Sequence, residues 1–470
     1  MSGGVKSKKK QEPTIGDNAV SIHVAESGTR TPKGSVRCEL DGNIAFSTCS
    51  LESYFFAAWD AAAYDALLVA AAVEYADKAQ RRRAHCWRRQ FQLSVPVHDV
   101  ARWDNRRVRA ALIDALNFLT GDSWDIAFYP RRRSAAVPQQ GLLTLDRAVE
   151  AVIPFSNGLD SRAVAGLMSR SINGGLVRVR LGSRLADTEN LARERHAFTA
   201  VPFDVTADKG VFVESSVRSR GFKFALVSGI AAVLAGANQI FVPESGQGAL
   251  GPSLVTVGQA YEDYRSHPLF TGRMERFLEA LLGHRVRYMF PQIWQTKGET
   301  LRQFIAACPD DAWASTWSCW QSQRQVSVAG HKRQCGVCAA CMLRRMSIHA
   351  AGLSEPPDRY VWERLTTRSF EDGAEPSFRA KGKITGAMRE YAIAGALHLD
   401  HLAALTDGAV HDRSLSVAAF HIGGALGLTP ADARSRLDRL LRQHSDEWEG
   451  FMLSLGPDSF VADWAMRGRT

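Results

Sequence analysis

Two short stretches hold the residues best suited to chemistry. The first is Pro154-Phe155-Ser156-Asn157-Gly158-Leu159-Asp160-Ser161. It lies between an apolar run, Ala148–Phe155, and an amphipathic one, Ser161–Ile172. That spacing predicts a strand, a tight turn and a helix. Such a turn aims backbone N–H groups at one point, with the positive end of the helix behind them, and binds phosphate or pyrophosphate. The hydroxyls of Ser156 and Ser161 add donors, and Gly158 permits close approach of the backbone. Asp160 can position the loop or a magnesium ion. A phosphate or pyrophosphate group is therefore expected at Ser156, Asn157, Gly158, Leu159, Asp160 and Ser161, although an ordinary capped strand–helix connection has a similar sequence.

The second stretch holds Cys319 and then Cys335, Cys338 and Cys341. Two C-x-x-C spacings share Cys338, so a fourth ligand must come from further off. Cys319 is the nearest, with His331 and His349 as weaker substitutes. Four thiolates suit tetrahedral zinc, and an iron–sulfur cluster is the main rival. The chain has eight cysteines. Such tight clustering of four favours metal over disulfides.

These stretches need elements to hold them. From Asp146 to Gly352 apolar strands and helical segments alternate: Leu176–Leu181, Asp187–Phe198 (helix), Val201–Val205, Phe222–Leu234 (helix), Gln239–Pro243, Met274–Leu282 (helix) and Val286–Met289. Alternation of this kind predicts a parallel sheet with crossover helices, an α/β fold, with ligands at the carboxyl ends of its strands. Residues 18–145 read as an accessory α+β domain. Its strands are Val20–Ala25, Val36–Leu40, Phe91–Val97 and Trp124–Tyr129, and its helices are Leu51–Tyr75 and Val100–Leu119. Residues 1–17 are lysine-rich and expected to be a disordered tail. A linker is expected over 366–383. Helices over Ile384–Asp407, Ser414–Leu426 and Pro430–Leu453 build a C-terminal helical region, 384–470.

The 470 residues imply two or three units. The formal charge is +9, mostly from arginine clusters at Arg81–Arg83, Arg88–Arg89 and Arg131–Arg133. No nucleic-acid motif accompanies them, so they read as solvated surface rather than a nucleic-acid face. No apolar run reaches the roughly 18 residues a membrane span requires, and the polar, basic N-terminus is not a secretory signal. A cytoplasmic protein is expected.

The first stretch resembles the Ser-Gly-Gly-x-Asp-Ser signature of the PP-loop ATP pyrophosphatases, with Asn157 in place of a glycine. Cys319 and the run Cys335–Arg344 resemble the zinc site of one branch, the 7-cyano-7-deazaguanine synthases (QueC). Ser219-Arg220-Gly221 is similar to that family's Gly-Arg-Asn segment, and Tyr288–Glu299 to its segment ending Asp-Lys-x-Glu. The resemblance covers residues 148 to 355. It implies a PP-loop core over 146–355, ATP with Mg2+ and Zn2+ as cofactors, and 7-carboxy-7-deazaguanine as substrate. It also implies an adenylated carboxylate attacked by an amine. Asp160, Ser161, Arg220 and Lys297 become the expected catalytic residues. Two departures stand out: Arg180-Leu181-Gly182-Ser183 replaces the family's Phe-Asp-Tyr-Gly, and the chain is about twice the family's length. In its extra terminal regions it resembles the enlarged QueC-like proteins of the anti-phage Qat and type IV CBASS systems. That likeness implies a ligase whose acceptor amine belongs to a partner protein encoded in the same operon. Further readings are a synthase using ammonia, a tRNA-modifying enzyme, and an inactive zinc-stapled scaffold.

Overall fold

The computed structural model describes residues 19–46, 60–83, 86–133, 149–156, 158–172, 175–181, 198–201, 203–258, 260–320, 326–328, 330–407 and 409–467. The tail 1–17, the start of the first predicted helix, Asn157 and nearly all of the helix expected over Asp187–Phe198 lie outside them.

The first part carries β1 (Ala19–Ala25), β2 (Val36–Glu39), β3 (Ile44–Phe46), β4 (Gln90–Val97) and β5 (Ser123–Pro130), with helices α1 (Ala61–Ala79) and α2 (Arg106–Thr120). Four of the strands form a sheet in the order β2-β1-β4-β5. Every pairing in it is parallel. The expected α+β unit is therefore corrected to a parallel α/β one. Short strands with alternating burial suggest an antiparallel sheet. Here α1 and α2 are crossovers that make parallel pairing possible. α1 is buried on nearly every side because alanines let the sheet and a second helix approach closely.

The second part adds β6 (Ala151–Pro154), β7 (Leu176–Leu181), β8 (Phe198–Val201), β9 (Phe203–Val205), β10 (Gln239–Phe241) and β11 (Arg287–Met289). Its helices are α3 (Leu159–Ser171), α4 (Arg220–Ala235), α5 (Pro268–Leu282), α6 (Lys297–Ala307) and α7 (Ala339–Ala350). The sheet order is β11-β10-β6-β7-β8, again parallel throughout. β3 pairs antiparallel with β9, joining the two parts. One hydrophobic core runs from Ile22 and Phe91 in the first sheet to Ile240 and Tyr288 in the second.

Two ion networks cross the same boundary. Lys223 of α4 pairs with Glu74 of α1. Arg82 and Arg89 both pair with Asp77 and Asp122, and Asp77 also accepts from the Ser219 amide at 2.8 Å. Arg82 and Arg89 are thus buried, which corrects their reading as solvated surface. Their charge is held by two buried carboxylates, a pairing that cluster counting does not reveal.

The C-terminal helices are α8 (Gly386–Ala404), α9 (Asp412–Leu426) and α10 (Pro430–Leu455), followed by Phe460–Arg467. The stretch 366–383, expected as a linker, is folded: Phe370 and Phe378 are buried against Trp362. Among the described residues no single helix is long and apolar enough to cross a membrane.

Candidate functional site

The Ser156–Ser161 stretch follows the carboxyl end of β6 and enters α3. Gly158 is the N-cap of α3 and makes no side-chain cap. The loop caps itself instead. Ser161 Oγ donates to the carbonyls of Ser156 (2.6 Å) and Gly158 (3.1 Å), and Ser156 Oγ accepts from the Gly158 amide at 3.2 Å. The two hydroxyls lie 3.0 Å apart. Ser161 therefore fixes the shape of the turn from a buried position. The Leu159 side chain is buried in an apolar cluster with Leu301 and Phe304, so that residue can offer a ligand only its backbone. A Cβ at Gly158 would stand 3.0 Å from Ser156 Oγ and 3.7 Å from the Trp317 carbonyl. The cysteine-bearing segment thus lies against the loop.

Asp160, in the first turn of α3, forms an ion pair with Lys297, the first residue of α6. The Lys297 side chain is 7% exposed. Asp160 Oδ1 is buried and has no hydrogen-bond partner among the described residues. Beside this pair stands Glu244, three residues beyond β10. Its carboxyl is pushed up to about 8 by burial and then by the Asp160 charge. It lies close over the turn at Gly246–Ala249: a Cβ at Gly248 would stand 2.3 Å from Glu244 Oε2. Arg265 acts electrostatically on Glu244 and is itself held by Asp263, with Nε–Oδ2 at 2.7 Å.

Arg220 opens α4. Solvent reaches its side chain, and burial together with the neighbouring Arg265 guanidinium lowers its pKa. It makes no ion pair among the described residues, and its guanidinium stands 5.3 Å from the Phe224 ring centroid. Gly221 lets Arg265 come close: a Cβ there would meet Arg265 Cβ at 2.8 Å. Asp160, Lys297, Glu244, Arg220 and Arg265 thus form one charged group at the carboxyl ends of β6 and β10. Those strands mark the reversal of connection direction where open parallel sheets bind ligands.

The four cysteines come together as the spacing predicts. Sγ atoms of Cys319, Cys335, Cys338 and Cys341 lie within 4.8 Å of one another. Amides of Val337 and Cys338 point at Cys335 Sγ (3.5 and 3.3 Å), and the Cys335 amide at Cys319 Sγ (3.2 Å). Such donors stabilise thiolate charge. The positive φ of Gly336, 88°, makes this turn possible. Hydrogen bonds from Cys335, Cys338 and Cys341 hold Cys319 well below the usual thiol range, while burial pushes Cys335 and Cys341 up. The donor set fits zinc, which would be held by these four sulfurs and would staple the segment leading to Trp317. Arg344, fully buried, secures the same segment. It donates to Thr316 Oγ1 (2.7 Å) and pairs with Glu355 (2.9 Å).

Sequence reasoning did not reach the support beneath Lys297. The Lys297 amide donates to Gln247 Oε1 (2.8 Å), and the Gln247 side-chain nitrogen lies 2.8 Å from His444 Nδ1. His444 Nε2 faces the Leu399 carbonyl at 2.9 Å, so Nε2 carries the proton and Nδ1 accepts. Thr296, the N-cap of α6, donates to Glu447 at 2.6 Å. The available signal was two polar residues, His444 and Glu447, set three apart within the apolar stripe of α10 formed by Leu437, Leu440, Leu441 and Trp448. Glu244, Asp263 and Arg265 were also missed. For Glu244 the signal was an acid just past a buried strand.

Residues 213–352 match the family model described as "Queuosine biosynthesis protein QueC". Two 7-cyano-7-deazaguanine synthases, from Cupriavidus taiwanensis and Cupriavidus necator, are each 39% identical over 74 residues. That match spans 16% of this chain and 29% of the length of each relative. The chain therefore carries a QueC-like segment. It includes Arg220, Glu244, Lys297 and all four cysteines, while the Ser156–Ser161 loop precedes it.

Proposed function

We propose that this protein uses ATP to activate the carboxylate of a 7-deazaguanine and passes the acyl group to an amine. The observation that carries this reading is the Asp160–Lys297 pair. It joins the phosphate-cradling loop to the QueC-like segment at one sheet end. In the reaction, a substrate carboxylate oxygen attacks the α-phosphorus of ATP, and pyrophosphate leaves with the bonding electrons. An amine then attacks the acyl carbon, loses a proton, and displaces AMP.

The loop amides at Ser156–Ser161 and the Lys297 ammonium receive the charge that develops on pyrophosphate. Arg220 is the cation open to the substrate carboxylate, and Arg265 sits behind it. Glu244, largely protonated at neutral pH, is placed to exchange a proton with the incoming amine once it ionises. Asp160 Oδ1 is the oxygen that would meet magnesium carried by the nucleotide. Zinc would be held by Cys319, Cys335, Cys338 and Cys341 and would keep Trp317 against the loop.

The acceptor we favour is an amine of a partner protein encoded beside this chain, as in the anti-phage systems. This rests on the large share of the chain outside the matched stretch. The test incubates the purified protein with ATP and 7-carboxy-7-deazaguanine, with ammonia or with the adjacent gene product. A mass increase on the partner supports a protein acceptor. A free nitrile or amide formed with ammonia alone, with the partner unchanged, replaces it with the small-molecule synthase.

A further inference from the structure

The rule that locates the PP-loop at β6 and β10 applies a second time. In the first sheet the chain leaves β1 toward β2 and leaves β4 toward β5, in opposite directions. A crevice outside the carboxyl ends of β1 and β4 is where such a sheet takes a ligand. The first residue after β1 is Glu26, the first after β4 is His98, and the first after β5 is Arg131.

These three are tied into one buried polar group. Asp65 on α1, 1% exposed, accepts from the His98 amide at 2.8 Å and lies 2.7 Å from His98 Nδ1. Burial pushes the Asp65 carboxyl up, against the opposing pull of His98. Glu26 accepts from the amides of Arg132 (2.9 Å) and Arg133 (3.0 Å) and stands 3.8 Å from Arg131 Nε. The Arg131 side chain is 6% exposed and its guanidinium lies 4.6 Å from the Tyr64 ring centroid. Its Nε and Nη1 are buried without a hydrogen-bond partner among the described residues.

Burying this many ionisable groups is a poor way to stabilise a sheet end, because apolar residues of the same volume do it at least as well. Arg131 is the buried cation of the group, and its Nε and Nη1, left without acceptors among the described residues, are donors that an anion would satisfy. An imidazole oriented by a buried aspartate is also a form in which proteins present a donor or base to a ligand. None of these residues serves the site at β6 and β10.

We propose that the crevice outside β1 and β4 is a second ligand site, for a small molecule carrying a phosphate or carboxylate group. Arg131 is its anchor, and the Asp65–His98 pair forms its other wall.

The full chain is titrated with inorganic phosphate and, separately, with succinate, and amide exchange is followed peptide by peptide. A Ser156→Ala variant is run in parallel to set aside binding at the PP-loop. Exchange across 96–100 and 129–133 is expected to slow saturably with at least one anion in both proteins. The affinity is expected to fall about tenfold or more in Arg131→Gln. Slowing by phosphate alone assigns a phosphoryl-bearing ligand, and by succinate alone a carboxylate. No slowing with either anion overturns the proposal, as does slowing that Arg131→Gln leaves unchanged. If Arg131→Gln loses its fold by circular dichroism, His98→Leu takes its place with the same two outcomes.

Discussion

Lys297 and Asp160 form an ion pair between the first residue of α6 and the first turn of α3. Through it the loop that would hold ATP and the QueC-like segment share one buried charge pair. The Lys297 side chain is 7% exposed, so Asp160 supplies a countercharge where water is scarce.

Lys297→Met removes the ammonium while filling its volume. It should lower ATP–pyrophosphate exchange by about 10²–10³-fold, the usual effect of losing one donor to developing negative charge. Zinc content should be unchanged. Exchange within a few-fold of wild type would remove Lys297 from the chemistry.

Asp160→Ala leaves Lys297 as an unpaired buried cation. It should destabilise the fold by about 3–5 kcal/mol, so lost activity alone would be ambiguous. Asp160→Asn keeps the volume and a hydrogen bond to Lys297. A melting curve paired with nucleotide titration separates the effects: Asn should lose turnover with a smaller drop in melting temperature than Ala.

Cys338→Ser should lower metal content and melting temperature together, since structural zinc contributes folding free energy. The Ser156–Ser161 loop should loosen as well, through the Trp317 contact. Faster amide exchange at the loop is the signature. A variant that keeps its zinc would refute the ligand assignment.

Glu447 and Glu244 give a pH dependence with a definite sign. Burial raises Glu447 from 4.5 to about 7, and Glu244 to about 8. Both carboxyls bind protons more tightly when folded. Their contribution to stability is complete below the unfolded pKa near 4.5 and is lost as pH rises through about 7 and 8. Glu447→Gln should flatten the fall in urea midpoint between pH 5 and 8, measured against wild type. An unchanged slope would mean that Glu447 is ionised throughout that range.

Much of the fold was legible because its signals are local. The strand at 176–181, the end of α9 at Leu426 and the start of α10 follow from apolar periodicity and from Pro430 after Thr429. The cysteine cluster was legible because C-x-x-C spacing fixes geometry over a few residues. What escaped depends on pairing across long separations. Nothing near Arg82 or Arg89 announces that Asp122, 40 and 33 positions further on, joins Asp77 in neutralising them. The parallel order of the first sheet depends on α1 crossing over β1, which no single segment encodes. Lys297 could be singled out by resemblance, but its support from Gln247, His444 and Glu447 spans about 200 positions.

Adenylation of a deazaguanine carboxylate is the step on which the proposed function rests. Mass spectrometry of purified protein with ATP, with and without 7-carboxy-7-deazaguanine, tests it most directly. AMP and pyrophosphate should depend on the deazapurine and vanish in Lys297→Met. No AMP with any amine acceptor present, or AMP formed equally without the deazapurine, would contradict it.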